Sequence, residues 1–107
     1  IFTRTFDFLT WLLPMTNNFP KAHRHSFTQR LLDAAFDLRE RLEEAHLRKG
    51  EARLERLQLA DEALARVRVD LRLAARWKWL TDGQYHHVAQ MVTEIGRLLG
   101  GWQKVTT

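Results

Sequence analysis

Glu43 and His46 stand at the i, i+3 spacing with which helices of a bundle present ligands to a di-iron centre. Such a centre needs a second Glu-x-x-His and two further inward carboxylates. Neither other candidate helix supplies them, since Glu94 is followed at i+3 by Arg97 and Asp82 by Tyr85. His23 with His25, and the pair His86 and His87, have ligand chemistry, but basic neighbours disfavour a divalent ion. Asp33 and Asp37 have the i, i+4 spacing of an acid–base pair, yet with Arg30 and Arg41 one turn away salt bridging is the better use. The chain has no cysteine, and so no thiolate nucleophile, no disulfide and no Cys zinc site. It also lacks a G-x-S-x-G, a Gly-rich phosphate loop and a nucleophile with an adjacent base. These residues predict no enzyme, no metal site and no cofactor.

The basic residues are more informative. Arg68, Arg72 and Arg76 recur at i, i+4, i+8, so like charges share one helical ridge and repel by roughly 0.2–0.5 kcal/mol per pair unless an anion compensates. Thirteen of the 17 basic residues are Arg, the side chain suited to bidentate phosphate contacts and to stacking on bases. Among the aromatics, Phe2, Phe6, Phe27, Phe36 and Trp102 fit core stripes, whereas Trp77 and Trp79 flank Lys78 at a helix end and cannot all face one core. Phe8 and Trp11, three apart, suggest a second apolar face on the first helix. Trp11, Trp77 and Trp79 are therefore the candidates for a subunit or partner interface, where Trp is enriched.

Helical spacing recurs almost everywhere and strand-like alternation nowhere. The fold class is all-α. Phe2, Phe6, Leu9 and Leu13 share a face of a first helix that Pro14 ends or kinks. Thr16 to Pro20 forms a turn, and Pro20 or the next few residues open a second helix striped by Phe27, Leu31, Ala35, Leu38, Leu42 and Ala45. Lys49-Gly50 is the one breaker before a long third helix from about Glu51 to Trp79, striped by Leu54, Leu57, Ala60, Leu64, Val67, Leu71 and Ala74. Thr81 and Gln84 have the form of a capping box for a fourth helix, which carries Tyr85, Val88, Val92, Ile95, Leu99 and Trp102 and ends at Gly100-Gly101. Short connections make this an up-down-up-down antiparallel four-helix bundle, one domain over residues 1–107. No apolar run is long enough to span a bilayer, and the absence of cysteine fits a cytoplasmic setting. Residue 1 is Ile, which leaves a preceding segment open.

The net charge of +4 is slight, but its distribution is not even. Residues 63–80 hold Arg66, Arg68, Arg72, Arg76 and Lys78 against Asp70 alone, whereas residues 37–62 hold eight acids and six bases. Antiparallel packing brings the end of the third helix beside the start of the second. Lys21, Arg24, Arg30, Arg68, Arg72, Arg76 and Lys78 should therefore share one end of the bundle, with His23, His25, His86 and His87 close by, as a candidate site for nucleic-acid phosphates.

Three stretches together resemble a known family: Trp11-Leu12-Leu13-Pro14 with Phe19-Pro20-Lys21, the opening Phe27-Thr28-Gln29-Arg30, and Glu94-Ile95-Gly96-Arg97-Leu98-Leu99-Gly100-Gly101-Trp102. They are similar to the accessory variability determinant (Avd) proteins of diversity-generating retroelements, within the wider four-helix-bundle family that includes the ribosomal-RNA intervening-sequence proteins. In that motif Gly96 would let a neighbouring helix approach closely, at a cost of about 1 kcal/mol against Ala. The resemblance implies a non-enzymatic accessory protein. Such proteins form a homopentameric basic barrel, bind the retroelement's reverse transcriptase and its RNA or DNA, and support mutagenic cDNA synthesis and retrohoming. It carries no catalytic residues over. The alternative, from the intervening-sequence branch, is a structural oligomer or protein–protein adaptor without nucleic-acid binding.

Overall fold

The computed structural model describes residues 1–106. Four α-helices account for most of it: α1 (Phe2–Met15), α2 (Gln29–His46), α3 (Gly50–Arg76) and α4 (Asp82–Val105). No strand occurs among the described residues. α2 packs along α3, α3 against α4, and α1 against both α2 and α4, which closes the antiparallel bundle. At 1.5 Å per residue α3 is about 40 Å long, so it spans nearly the whole 43 Å long axis of the molecule.

The core stripes of α2, α3 and α4 follow the spacing in the sequence. Leu31, Leu38 and Leu42 of α2, Leu57, Leu64 and Val67 of α3, and Val88, Ile95 and Leu99 of α4 are fully buried. Each such side chain contributes roughly 1.5–3 kcal/mol by leaving water. Leu54, Tyr85 and Trp102, at stripe ends, are half-buried. The capping box at the head of α4 is complete, with the Gln84 backbone N–H donating to Thr81 Oγ1 (3.1 Å) and the Thr81 N–H donating to Gln84 Oε1 (2.9 Å).

α1 departs from its expected face. Phe8 and Leu12 are fully buried and Thr5 nearly so, while Phe6 and Leu13 are 62% and 50% exposed. The helix is turned by about one residue, ~100°, from the face the spacing favoured. Phe8 belongs to the core and not to an outer face, and the outer apolar positions are Phe6 and Leu13. Thr5 is tolerated inside because its hydroxyl donates to the Ile1 carbonyl (3.0 Å) and accepts from Arg39 Nη1 (3.2 Å). Arg39 also donates to the Phe2 carbonyl (2.8 Å), which ties α1 to α2.

Three boundaries also differ. The second helical arm starts at Lys21, but as a 3-10 turn (Lys21–His23) and a π-helical turn (Arg24–Thr28) before regular α2. α3 stops at Arg76, short of Trp79. α4 runs through Gly100 and Gly101 to Val105, because a glycine pair weakens a helix by about 1 kcal/mol per residue without breaking it when Leu99 and Trp102 pack on the core on either side.

Candidate nucleic-acid interface

The end of α3 is built by its own backbone. Lys78 takes a left-handed conformation, φ 63°. Its N–H donates to the Ala75 carbonyl (3.1 Å) and the Trp79 N–H to the Ala74 carbonyl (2.9 Å), the paired bonds of a Schellman turn. Two residues apart on a helix, Trp77 and Trp79 would point to opposite sides. The reversal at Lys78 brings their rings to 4.9 Å instead. Phe27 stands edge-on to both, at 5.4 Å and 5.3 Å, and His23 stacks on Trp79 at 5.5 Å with 20° between planes. Phe19 closes the cluster at 5.7 Å from Trp79.

These ring contacts join the start of the second helical arm to the end of α3, as antiparallel packing requires. The seven basic candidates lie around that junction, all exposed, but in separate settings. Lys21 and Arg24 line a shallow groove with Phe19 and Pro20. Arg30 lines the groove between α2 and α3, together with Arg66 and Asp70. Arg72 and Arg76 flank a second groove against Tyr85 of α4. Arg68 lies one turn farther along and is turned onto α4, where a Cβ on Gly96 would collide with its Nη2. Gly96 therefore makes room for a cationic side chain and not for helix backbone, a correction to the close-approach expectation.

Carboxylates pair with five of the thirteen arginines, and Arg48 and Arg53 instead donate to the main-chain carbonyls of Glu44 and Ala45. Arg39, Arg41, Arg56, Arg66 and Arg97 reach Glu43, Glu44, Asp37 and Glu94 in ion pairs. Among the described residues none of Lys21, Arg24, Arg30, Arg68, Arg72, Arg76 and Lys78 is ion-paired. Asp70 is the acid nearest this region whose titration is perturbed. Burial pushes its carboxyl above the usual range, and the charges of Arg30 and Arg66 pull it back by less. Glu94, by contrast, is held below that range by its hydrogen bonds from Arg97.

The histidines serve packing in part. His87 lies 5.6 Å from Trp11, which is half-buried on the core, and His86 Nε2 is 3.2 Å from Gln90 Nε2. Of the three interface candidates, Trp77 is the most open, at 47% exposed, while Trp11 and Trp79 are half-buried. Among the described residues no group of three His, Asp or Glu side chains gathers as for a metal ion. Phe27 falls in a core stripe by its spacing and Ser26 carries no signal in the sequence, yet both line the aromatic pocket with His23, Trp77 and Trp79.

The sequence profile of the bAvd-like family matches residues 1–106. The chain belongs to the bAvd-like family. No curated protein matches it. The fold of this bAvd-like protein is similar to the crystal structure of a protein of unknown function, from the S23 ribosomal protein family of Bacteroides thetaiotaomicron. The two align with a TM-score of 0.87 over 97% of this chain and 98% of that one, at 17% identity, a likeness of fold alone. No helix among the described residues is long and apolar enough to cross a membrane.

Proposed function

We propose that this bAvd-like protein is a non-enzymatic accessory factor of a diversity-generating retroelement. It binds the element's reverse transcriptase and its RNA or DNA through the basic end of the bundle, supporting mutagenic cDNA synthesis and retrohoming. Membership of the bAvd-like family supports the accessory role. The observation that carries the nucleic-acid part is the gathering of seven exposed, unpaired cations around one junction. Five arginines elsewhere, Arg39, Arg41, Arg56, Arg66 and Arg97, meet carboxylates, while the seven exposed cations around the α2–α3 junction meet none. Unpaired cations are what a phosphate chain can neutralise with release of its counterions. Assembly into a homo-oligomer, a pentamer by family resemblance, multiplies that charge, and the exposed Phe6 and Leu13 on α1 are apolar surface for a neighbouring subunit.

Titration of labelled single-stranded and duplex nucleic acid at two salt concentrations tests this reading. If three or more phosphates are neutralised, affinity should fall roughly tenfold or more for a fourfold rise in salt. The double variant Arg72→Glu, Arg76→Glu should weaken it further. Affinity that ignores both salt and charge reversal excludes phosphate binding here. Co-purification with a reverse transcriptase of a diversity-generating retroelement tests the protein partner.

A second reading, a structural oligomer or adaptor without nucleic-acid contact, is favoured by Val69 and Leu73. They stand i, i+4 on α3, 54% and 37% exposed, in line with Trp77. On that reading charge reversal leaves partner binding intact and Trp77→Ala abolishes it.

A further inference from the structure

The rings at the end of α3 border an open hollow of about 550 Å³, lined by His23, Ser26, Phe27, Trp77 and Trp79. That volume falls within the ~300–1,000 Å³ of small-ligand sites. Its walls are set by edge-on contacts, since Phe27 meets both indoles at interplanar angles of 72° and 79°. Those contacts hold the ring planes, while Trp77 keeps nearly half its surface open. Ser26 and His23 add the pocket's polar side chains.

Three kinds of group suit an aromatic hollow: a quaternary ammonium, an aliphatic side chain and a nucleobase. The charge around this one decides among them. The two segments that form it, residues 21–32 and 71–81, contain six cations, Lys21, Arg24, Arg30, Arg72, Arg76 and Lys78, which outnumber Asp33, Asp37 and Asp70 in the adjoining α2–α3 groove that shares Ser26 and Phe27. A cationic ligand would be repelled. An aliphatic side chain would gain nothing from those charges. A nucleotide uses both features, because its base offers a flat π face to an indole and its phosphate offers charge to a guanidinium or ammonium. Three of the cations border the pocket in the chain: Arg24 and Arg76, each next to a pocket ring, line neighbouring grooves with Phe19 and Pro20 and with Tyr85, and Lys78 lies between the two tryptophans.

We propose that this pocket holds an unpaired nucleobase of single-stranded nucleic acid, stacked on Trp77, with Arg24, Arg76 and Lys78 on the flanking phosphates. A base inside a duplex is already stacked on both faces and cannot enter, so the site selects single strands, loops or ends. The inference rests on the nucleic-acid reading above and adds base capture to it.

The test compares a labelled single strand of about 12 nucleotides with an abasic strand of the same length and charge. The intact strand is expected to bind about 5- to 100-fold more tightly. Trp77→Ala should erase that difference while leaving the abasic strand's affinity and salt dependence unchanged, and Trp77→Tyr should keep most of it. Equal affinity of the two strands for the wild-type protein overturns base stacking and leaves phosphate binding standing. Binding of neither strand at low salt overturns both. A preference that survives in Trp77→Ala also overturns the assignment, since the bases are then held elsewhere. Should Trp77→Ala fail to fold, Trp77→Glu takes its place, and equal affinity of the two strands for the wild-type protein overturns the proposal without any variant.

Discussion

The guanidinium of Arg68 on α3 lies across Gly96 on α4. A Cβ built on Gly96 would collide with Nη2, while Arg68 Cζ and Leu64 Cδ2 would stand 3.4 Å and 3.5 Å away. The glycine of the Glu94–Trp102 stretch thus accommodates the free end of a long side chain, and beneath it only an ordinary contact with a core leucine.

That arrangement sets the sign of a substitution. Arg68 can swing aside at little cost, and Ala exceeds Gly in helix propensity by about 1 kcal/mol. Gly96→Ala should therefore stay folded and gain up to about 1 kcal/mol, read as a raised urea midpoint with unchanged slope. A loss of similar size would mean that the helices meet more tightly at Gly96 than Arg68 and Leu64 indicate.

Lys78 occupies the position of a Schellman turn that glycine fills without strain. Lys78→Gly is expected to stabilise the fold by about 0.5–1 kcal/mol. If Lys78 holds a phosphate, the same variant should bind single strands less tightly, so stability and affinity move in opposite directions. Thermal melts and binding titrations on one preparation check both.

Two phenylalanines on α1 should behave differently. Phe8→Ala removes a fully buried ring and should cost about 3–5 kcal/mol. Phe6→Ala touches an exposed ring and should change the stability of the isolated bundle by less than about 0.5 kcal/mol. Phe6→Glu with Leu13→Glu should lower the subunit number seen by light scattering. An unchanged assembly would remove α1 from the interface.

Asp70 supplies a pH signature. Its carboxyl, raised by burial in the α2–α3 groove, binds a proton better in the folded state than in the unfolded chain. Ionisation therefore costs stability as pH rises through the raised value, and nothing below the ordinary carboxylate range, where both states are protonated. Asp70→Asn should be more stable than the wild type at about pH 7 and equal to it below about pH 3. A variant that is less stable at neutral pH would show that attraction to Arg30 and Arg66 outweighs burial.

Much of this bundle is legible without coordinates. The stripes of α2, α3 and α4 repeat at helical spacing with polar residues opposite, so only one face can be buried. The Thr81–Gln84 capping box is likewise a local matter, closed within three residues. α1 was ambiguous for a physical reason. Phe2, Phe6, Leu9 and Leu13 line one face and Phe8 and Leu12 another, so periodicity offered two candidate stripes. The other helices chose between them, with Arg39 of α2 bonding Thr5 and the Phe2 carbonyl.

The four helices, their antiparallel order and the excess of cations in two segments far apart in the chain are encoded locally. Those follow from local spacing, short connections and composition. Tertiary structure decided which cations stay unpaired and where the aromatic rings converge. Trp77 and Trp79 meet because Lys78 adopts a backbone conformation that a lysine rarely takes, and Phe27 and His23 reach them only because α3 returns alongside the arm that carries them. No pattern along one helix encodes such a pocket, since its walls come from residues some fifty positions apart whose meeting is fixed by the packing of the bundle as a whole.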